Sequence, residues 1–236
     1  MTILYVNGDS HTAAAEAVNA HAFAEDDGGL VHLGRLPHPD NLNASWGRQL
    51  ADTLKAIFIC DAESAASNDR ILRTTRAWLA SRKQDWYRTV VIIQWSTWER
   101  EEWLHNNILY QVNGSGLDSV PPELAERYRH YVANLDLADK EQQAHKRIWQ
   151  MHQELKQQQI RHVFFNGNNY FGSTIKKRQD WGHSYIGPYD IDQTYHNVLI
   201  RNGFDTVAPH SWHFGKDAHR FWAEFMLQYC IDNKIY

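Results

Sequence analysis

Thr89-Val90-Val91-Ile92-Ile93-Gln94-Trp95 decides the fold. The run is β-branched and does not alternate with polar residues, so it reads as a strand buried on both faces. Such strands belong to parallel sheets sandwiched between helices. Working outward, Ile3–Asn7, 56–60 and His162–Phe165 give three more short apolar runs. Helical patterns separate them. Ser67 stands as an N-cap, with Asp69 in the first turn, ahead of Ile71, Leu72, Thr75 and Leu79. Leu124, Tyr128, Tyr131, Val132 and Leu135 share one helical face, and Ala144, Ile148, Met151 and Leu155 share another. Ala218, Phe221, Trp222, Phe225, Met226 and Tyr229 mark a final helix. Strands alternating with helices predict an α/β protein with a mainly parallel sheet covered on both faces.

The weaker segments give expectations of their own. Ala13–Phe23 is alanine-rich and reads as a helix, placing Ser10 where a strand gives way to a helix. Residues 27–44 read as loop, Trp46–Leu54 and Glu99–Asn107 as short helices, and 108–120 as mostly loop. Residues 191–202 read as a helix stopped by Gly203, and Phe204–Val207 as a short fifth strand. Residues 105–121 read as an insertion in a single domain spanning 1–236.

Composition fixes the class. Of 236 residues, 43% are hydrophobic and 22% charged, which fits a soluble globular chain and excludes disorder, collagen and coiled coil. A net charge of −4 offers no basic field for nucleic acid or an anionic membrane. No apolar run reaches the roughly 18–20 residues of a membrane span, and Met1-Thr2-Ile3-Leu4 lacks the basic start of a signal peptide. Cys60 and Cys230 predict reduced thiols and a cytoplasmic protein. Ten tryptophans and fourteen histidines direct attention to possible sites.

Ligands of such sheets bind beyond the carboxyl ends of the strands. Gly8-Asp9-Ser10-His11, Ala65-Ala66-Ser67-Asn68, Trp95-Ser96-Thr97 and Asn166-Gly167-Asn168 lie there. An exposed serine at a strand-to-helix turn is a candidate nucleophile, although the same residue can simply cap its helix. Near the other end, His213 sits in a loop before the last helix, able to deliver an imidazole to the same edge. Trp95, Trp98, Trp181 and Trp212 offer flat faces for sugar rings, though tryptophans are more often core residues. His210, His213, Asp217 and His219 form a third option, a metal site, but without a recognised ligand spacing.

Val6-Asn7-Gly8-Asp9-Ser10-His11-Thr12, Ala66-Ser67-Asn68-Asp69-Arg70-Ile71 and His213-Phe214-Gly215-Lys216-Asp217-Ala218-His219-Arg220 occur in the order of conserved blocks of the SGNH (GDSL-like) hydrolases, which the chain resembles. Together with Trp95-Ser96-Thr97-Trp98-Glu99-Arg100-Glu101, they also resemble small SGNH-like proteins of tailed bacteriophages. The resemblance implies a three-layer α/β/α, flavodoxin-like sheet of about five strands. It implies a serine esterase or deacylase without a cofactor or metal, acting on a small-molecule or glycan ester, an acetylated sugar being one case. Ser10 would be nucleophile and His213 general base, with oxyanion donors from the N–H of Ser10 and of Ala66 or Ser67.

Three positions depart from the family pattern. His210 stands where the family has its triad aspartate, so the acid is His210 itself, Asp217 or Asp205; Asp217 is also well placed as an N-cap. Ala66 replaces a glycine. The third-block asparagine is absent, leaving Thr97, Asn68 or Asn168 as side-chain donor beside Trp95 and Trp212. A binding module with little or no catalysis is the alternative function.

Overall fold

The computed structural model describes residues 1–24, 36–114 and 120–236. Strand β1 (Ile3–Asn7) is followed by α1 (Pro39–Ala44), α2 (Trp46–Thr53), β2 (Ile57–Cys60), α3 (Asn68–Ser81) and β3 (Thr89–Trp95). A hairpin, β4 (Glu101–His105) and β5 (Ile108–Val112), precedes α4 (Ala125–Ala133) and α5 (Leu137–Gln157). Strand β6 (Arg161–Asn166), α6 (Tyr195–Arg201) and α7 (Lys216–Asp232) complete the order.

The main sheet has four strands in the order β2-β1-β3-β6, all parallel. Every residue of β3 is buried, as its unbroken apolar run predicts. Alternate residues serve opposite layers. Leu4, Val6, Val90, Ile92, Val163 and Phe165 pack with Trp46 and Leu50 of α2, Leu199 of α6 and Trp222 of α7. Tyr5, Val91, Ile93 and Phe164 pack on the other side with Ile71 of α3 and Ile148 and Met151 of α5. The result is the expected three-layer α/β/α arrangement. Ser67 caps α3 by accepting from Arg70 N, again as expected.

Five expectations are corrected. Residues 11–20 form turns and bends, not a helix. Glu99–Asn107 is not a helix and 108–112 is not loop: they contribute β4, the hairpin turn and β5. Asn106 and Asn107 both have positive φ (50° and 63°), which a two-residue hairpin turn of the primed type requires and asparagine tolerates. Phe204–Val207 makes only an isolated bridge, Thr206 to Phe214, so the sheet has four strands instead of five. Residues 39–44 of the expected 27–44 loop form α1; the parts of that loop and of the 105–121 segment at 27–35 and 115–119 lie outside the described residues. Among the described residues no helix is long and apolar enough to cross a membrane.

Candidate active site

Parallel strands bring their carboxyl ends to one edge, and there Asn7, Cys60, Trp95 and Asn166 hand over to loops. After β1 the chain folds back at once. Thr12 N and Ala13 N donate to Asp9 O at 3.1 and 2.9 Å, and Ala15 N donates to Ser10 O at 2.9 Å. Asp9 pins this turn from below. Its Oδ1 accepts from His11 N (3.1 Å) and Gln94 Nε2 (2.8 Å), and its Oδ2 accepts from Ser96 Oγ (2.9 Å) and Arg100 Nη1 (3.2 Å). Burial opposes the charge, but His11, Arg100 and these hydrogen bonds hold the carboxyl below its ordinary value. Arg100 is therefore a half-buried partner of Asp9.

Gln94 is a fully buried amide inside an apolar strand. Its Oε1 accepts from Asp9 N, Thr12 N and Thr12 Oγ1 at 3.3, 3.2 and 2.9 Å. The close fit dictates two glycines. A Cβ on Gly8 would lie 2.5 Å from Thr12 Oγ1, and one on Gly167 would lie 2.6 Å from Gln94 Nε2.

The loop after Ser10 carries the residue that sequence reasoning missed. Ala14 and Glu16 adopt positive φ (56° and 63°), a conformation that is uncommon for residues with a Cβ. Such local strain persists only where the surroundings impose it. Here Asn41 of α1 does so: its Oδ1 accepts from Val18 N (3.0 Å) and Asn19 N (2.8 Å), and its Nδ2 donates to Asn19 O (3.0 Å) and His21 O (2.9 Å). Glu16 is thereby presented to the loop before α7. Its Oε2 lies 2.7 Å from His213 Nδ1 and accepts from Ser211 Oγ at 2.8 Å. Ser211 Oγ in turn accepts from His213 N at 3.0 Å. Burial disfavours the Glu16 charge, but the bonds from His213 and Ser211 and the attraction of His213 prevail, leaving the carboxyl below its ordinary value.

With Nδ1 on a carboxylate, the proton of neutral His213 sits on Nδ1, and Nε2 is left with a lone pair. His213 packs beside Ser10's neighbour: its ring centroid is 5.8 Å from that of His11. Among the described residues no hydrogen bond joins Ser10 Oγ to His213. Catalytic hydrogen bonds are often long before substrate binds.

The other sequence candidates fall into two groups. His210 and Asp205 are exposed, and Asp217 pairs with Arg220 at 3.2 Å; the group on His213 Nδ1 is Glu16 in place of any of them. Asp217 is not an N-cap either, because Gly215 holds that position in α7. Ala66 N donates to Glu63 O (3.0 Å) and Ser67 N to Gln111 Oε1 (2.9 Å), so both second-block amides are already bonded. Asn68 is tied to the backbone of Ser96 and Thr97, and Thr97 Oγ1 donates to Glu99. Ser10 N makes no such bond among the described residues. Asn168 lines a nearby cleft with its Oδ1 buried and unpartnered. Trp95 and Trp181 are buried; Trp98 stacks on Phe171, and Trp212 is exposed beside His196.

The metal option loses its ligands. His219 is buried with Nδ1 accepting from Trp46 N, and among the described residues no three His, Cys, Asp or Glu converge. Arg70 and Arg73 pair with Glu63 and Glu102.

A family model described as a family of unknown function (DUF6071) matches residues 25–162, more than half of the chain. Ser10, Glu16 and His213 lie outside the matched segment. A comparison with curated proteins gives no match. Similar solved structures include a protein described as a G-D-S-L family lipolytic protein from Desulfitobacterium hafniense DCB-2, 15% identical, with a TM-score of 0.46 over 97% of this chain and 99% of that one. A psychrotrophic esterase from Pseudoalteromonas sp. is 12% identical, with a TM-score of 0.40 over 99% and 97%. An acetyl xylan esterase from the rumen bacterium Butyrivibrio proteoclasticus is 10% identical, with a TM-score of 0.45 over 100% of this chain and 65% of that one. These likenesses are too distant to assign chemistry, which rests on the residues themselves.

Proposed function

The chain belongs to the DUF6071 family, and we propose that it is a serine ester hydrolase working through Ser10, His213 and Glu16. One observation carries the reading: Glu16 Oε2 stands 2.7 Å from His213 Nδ1, from the loop that directly follows Ser10. A carboxylate on Nδ1 fixes the tautomer a general base needs and stabilises the imidazolium that forms. The resemblance of the Gly8-Asp9-Ser10 segment to SGNH hydrolases supports the same assignment. In the first step Ser10 Oγ bonds to the ester carbonyl carbon while its proton passes to His213 Nε2. The C–O bond to the alcohol then breaks, and the leaving oxygen takes that proton. Water repeats the sequence on the acyl-serine and releases the acid.

The substrate fits an acyl ester of a small molecule or glycan. Asn168, Trp98 and Tyr170 line a cleft of about 440 Å³ on the loops after β3 and β6, which Ser10, His213 and Trp212 do not line, and Trp212 has an exposed aromatic face of its own. A cytoplasmic setting goes with the free thiols Cys60 and Cys230. Turnover of p-nitrophenyl acetate by the wild type and Ser10→Ala tests the proposal: a rate that depends on Ser10 supports it, and equal rates reject it.

A binding module is the second reading. The missing Ser10–His213 hydrogen bond and the committed amides of Ala66 and Ser67 favour it. Under that reading Ser10 would not react with an electrophilic serine probe.

A further inference from the structure

Acyl transfer through Ser10 needs donors for the oxygen that becomes negative, and the expected ones are largely occupied. Ala66 N, Ser67 N, Asn68 and Thr97 already bond within the protein. His11 is placed differently. It follows Ser10 directly, and its backbone N–H is fixed on Asp9 Oδ1. The residue is 4% exposed, and its ring lies against Tyr195 (centroids 5.3 Å) and His213 (5.8 Å). Gly167 leaves room for it, since a Cβ there would sit 3.4 Å from His11 Cδ2.

The two ring nitrogens differ. Nδ1 is sealed from solvent with no hydrogen-bond partner. A buried N–H without an acceptor is rarer and costlier than a buried lone pair, so the proton belongs on Nε2. That nitrogen is not sealed and has no partner among the described residues. Burial pushes the ring's basicity down, Asp9 opposes this, and His213 and Arg100 reinforce it, so His11 stays neutral at pH 7.

We infer that His11 Nε2–H is the side-chain donor of the oxyanion site, acting next to the N–H of Ser10. The inference rests on the hydrolase reading above. As the Oγ–C bond forms, the carbonyl π pair moves onto oxygen, and His11 donates a hydrogen bond to it while keeping its proton. On collapse the pair returns to the carbonyl, and the alcohol leaves with the proton held by His213. Asn168, one residue beyond Gly167, is the competing donor.

The test measures kcat and KM on p-nitrophenyl acetate for wild type, Ser10→Ala, His11→Phe, His11→Gln and Asn168→Ala. His11→Phe should lower kcat about 10²–10³-fold with KM little changed. His11→Gln, which restores an N–H at a similar reach, should recover part of the loss. Wild-type kcat in His11→Phe, or a large loss confined to Asn168→Ala, overturns the inference and leaves the hydrolase reading intact. A wild type no faster than Ser10→Ala rejects both. Nitrogen NMR of histidine-labelled wild type gives a readout independent of variant folding: an Nε2–H tautomer at His11 is expected, and an Nδ1–H tautomer overturns the donor role.

Discussion

Glu16 does two jobs with one carboxylate. It accepts from Ser211 and pairs with His213, so it both docks the loop before α7 and orients the imidazole. Because its carboxyl sits below the ordinary value, it stays ionised through neutral pH. Its contribution to stability is present above its unfolded pKa and is lost only as pH falls through the lower folded value. Glu16→Gln keeps the shape and removes the charge. On the proposed mechanism it lowers kcat about 10²–10⁴-fold, by analogy with amide replacement of the acid in serine proteases. His210→Ala, at an exposed position with no bond to His213, should leave kcat within about twofold of wild type, as surface changes usually do little. Steady-state kinetics on a chromogenic ester separates the two, and the reverse ranking would restore His210 as the acid.

At the scale of elements, the site is held by a buried amide lattice: Gln94 from β3 under the Ser10 turn, and Asn41 from α1 under the Glu16 loop. Asn41→Ala leaves two N–H and two C=O groups of residues 18–21 without their partner. Unsatisfied buried groups cost about 1–3 kcal/mol each, less where water can reach, so denaturant titration should show a loss of at least about 1 kcal/mol; an unchanged midpoint would show that Asn41 does not hold the loop. The strands and long helices were legible because one physical rule sets each: continuous burial for β3, an i, i+3, i+4 face for α5 and α7. Glu16 was not legible. Alanine-rich 13–17 has high helical propensity, and only tertiary partners force positive φ at Ala14 and Glu16. The β4–β5 hairpin was missed for a related reason: the Asn106-Asn107 turn signal lies at the end of Glu99–Asn107, a segment that reads as a short helix. Ser10 and His213 were singled out by the order of their segments, while the proposed third member, Glu16, came from a place where no spacing pattern points.

Over the whole molecule, buried histidines make the fold sensitive to acid. Burial pushes His162 down to about 4, partly offset by its bond to Ile160 O, and pushes His219 down to about 3, with His11 and His213 reinforcing. His152, bonded to His162 at 2.9 Å, is also lowered, by burial first. The unfolded chain takes up these protons near 6.5. Between the folded and unfolded values the unfolded state binds more protons, so stability is full above about pH 6.5 and declines as pH falls. Each group contributes a slope of up to about 1.4 kcal/mol per pH unit. Urea midpoints should therefore drop steadily from pH 7 to pH 5, and a flat profile would contradict the burial of these rings.

Every role proposed above depends on Ser10 being an activated nucleophile served by His213 and Glu16. Intact-mass and peptide mass spectrometry after treatment with a fluorophosphonate tests it most directly. One covalent adduct per chain is expected, located on Ser10, absent in Ser10→Ala and formed much more slowly in Glu16→Gln. An unlabelled Ser10 in folded wild-type protein would contradict it.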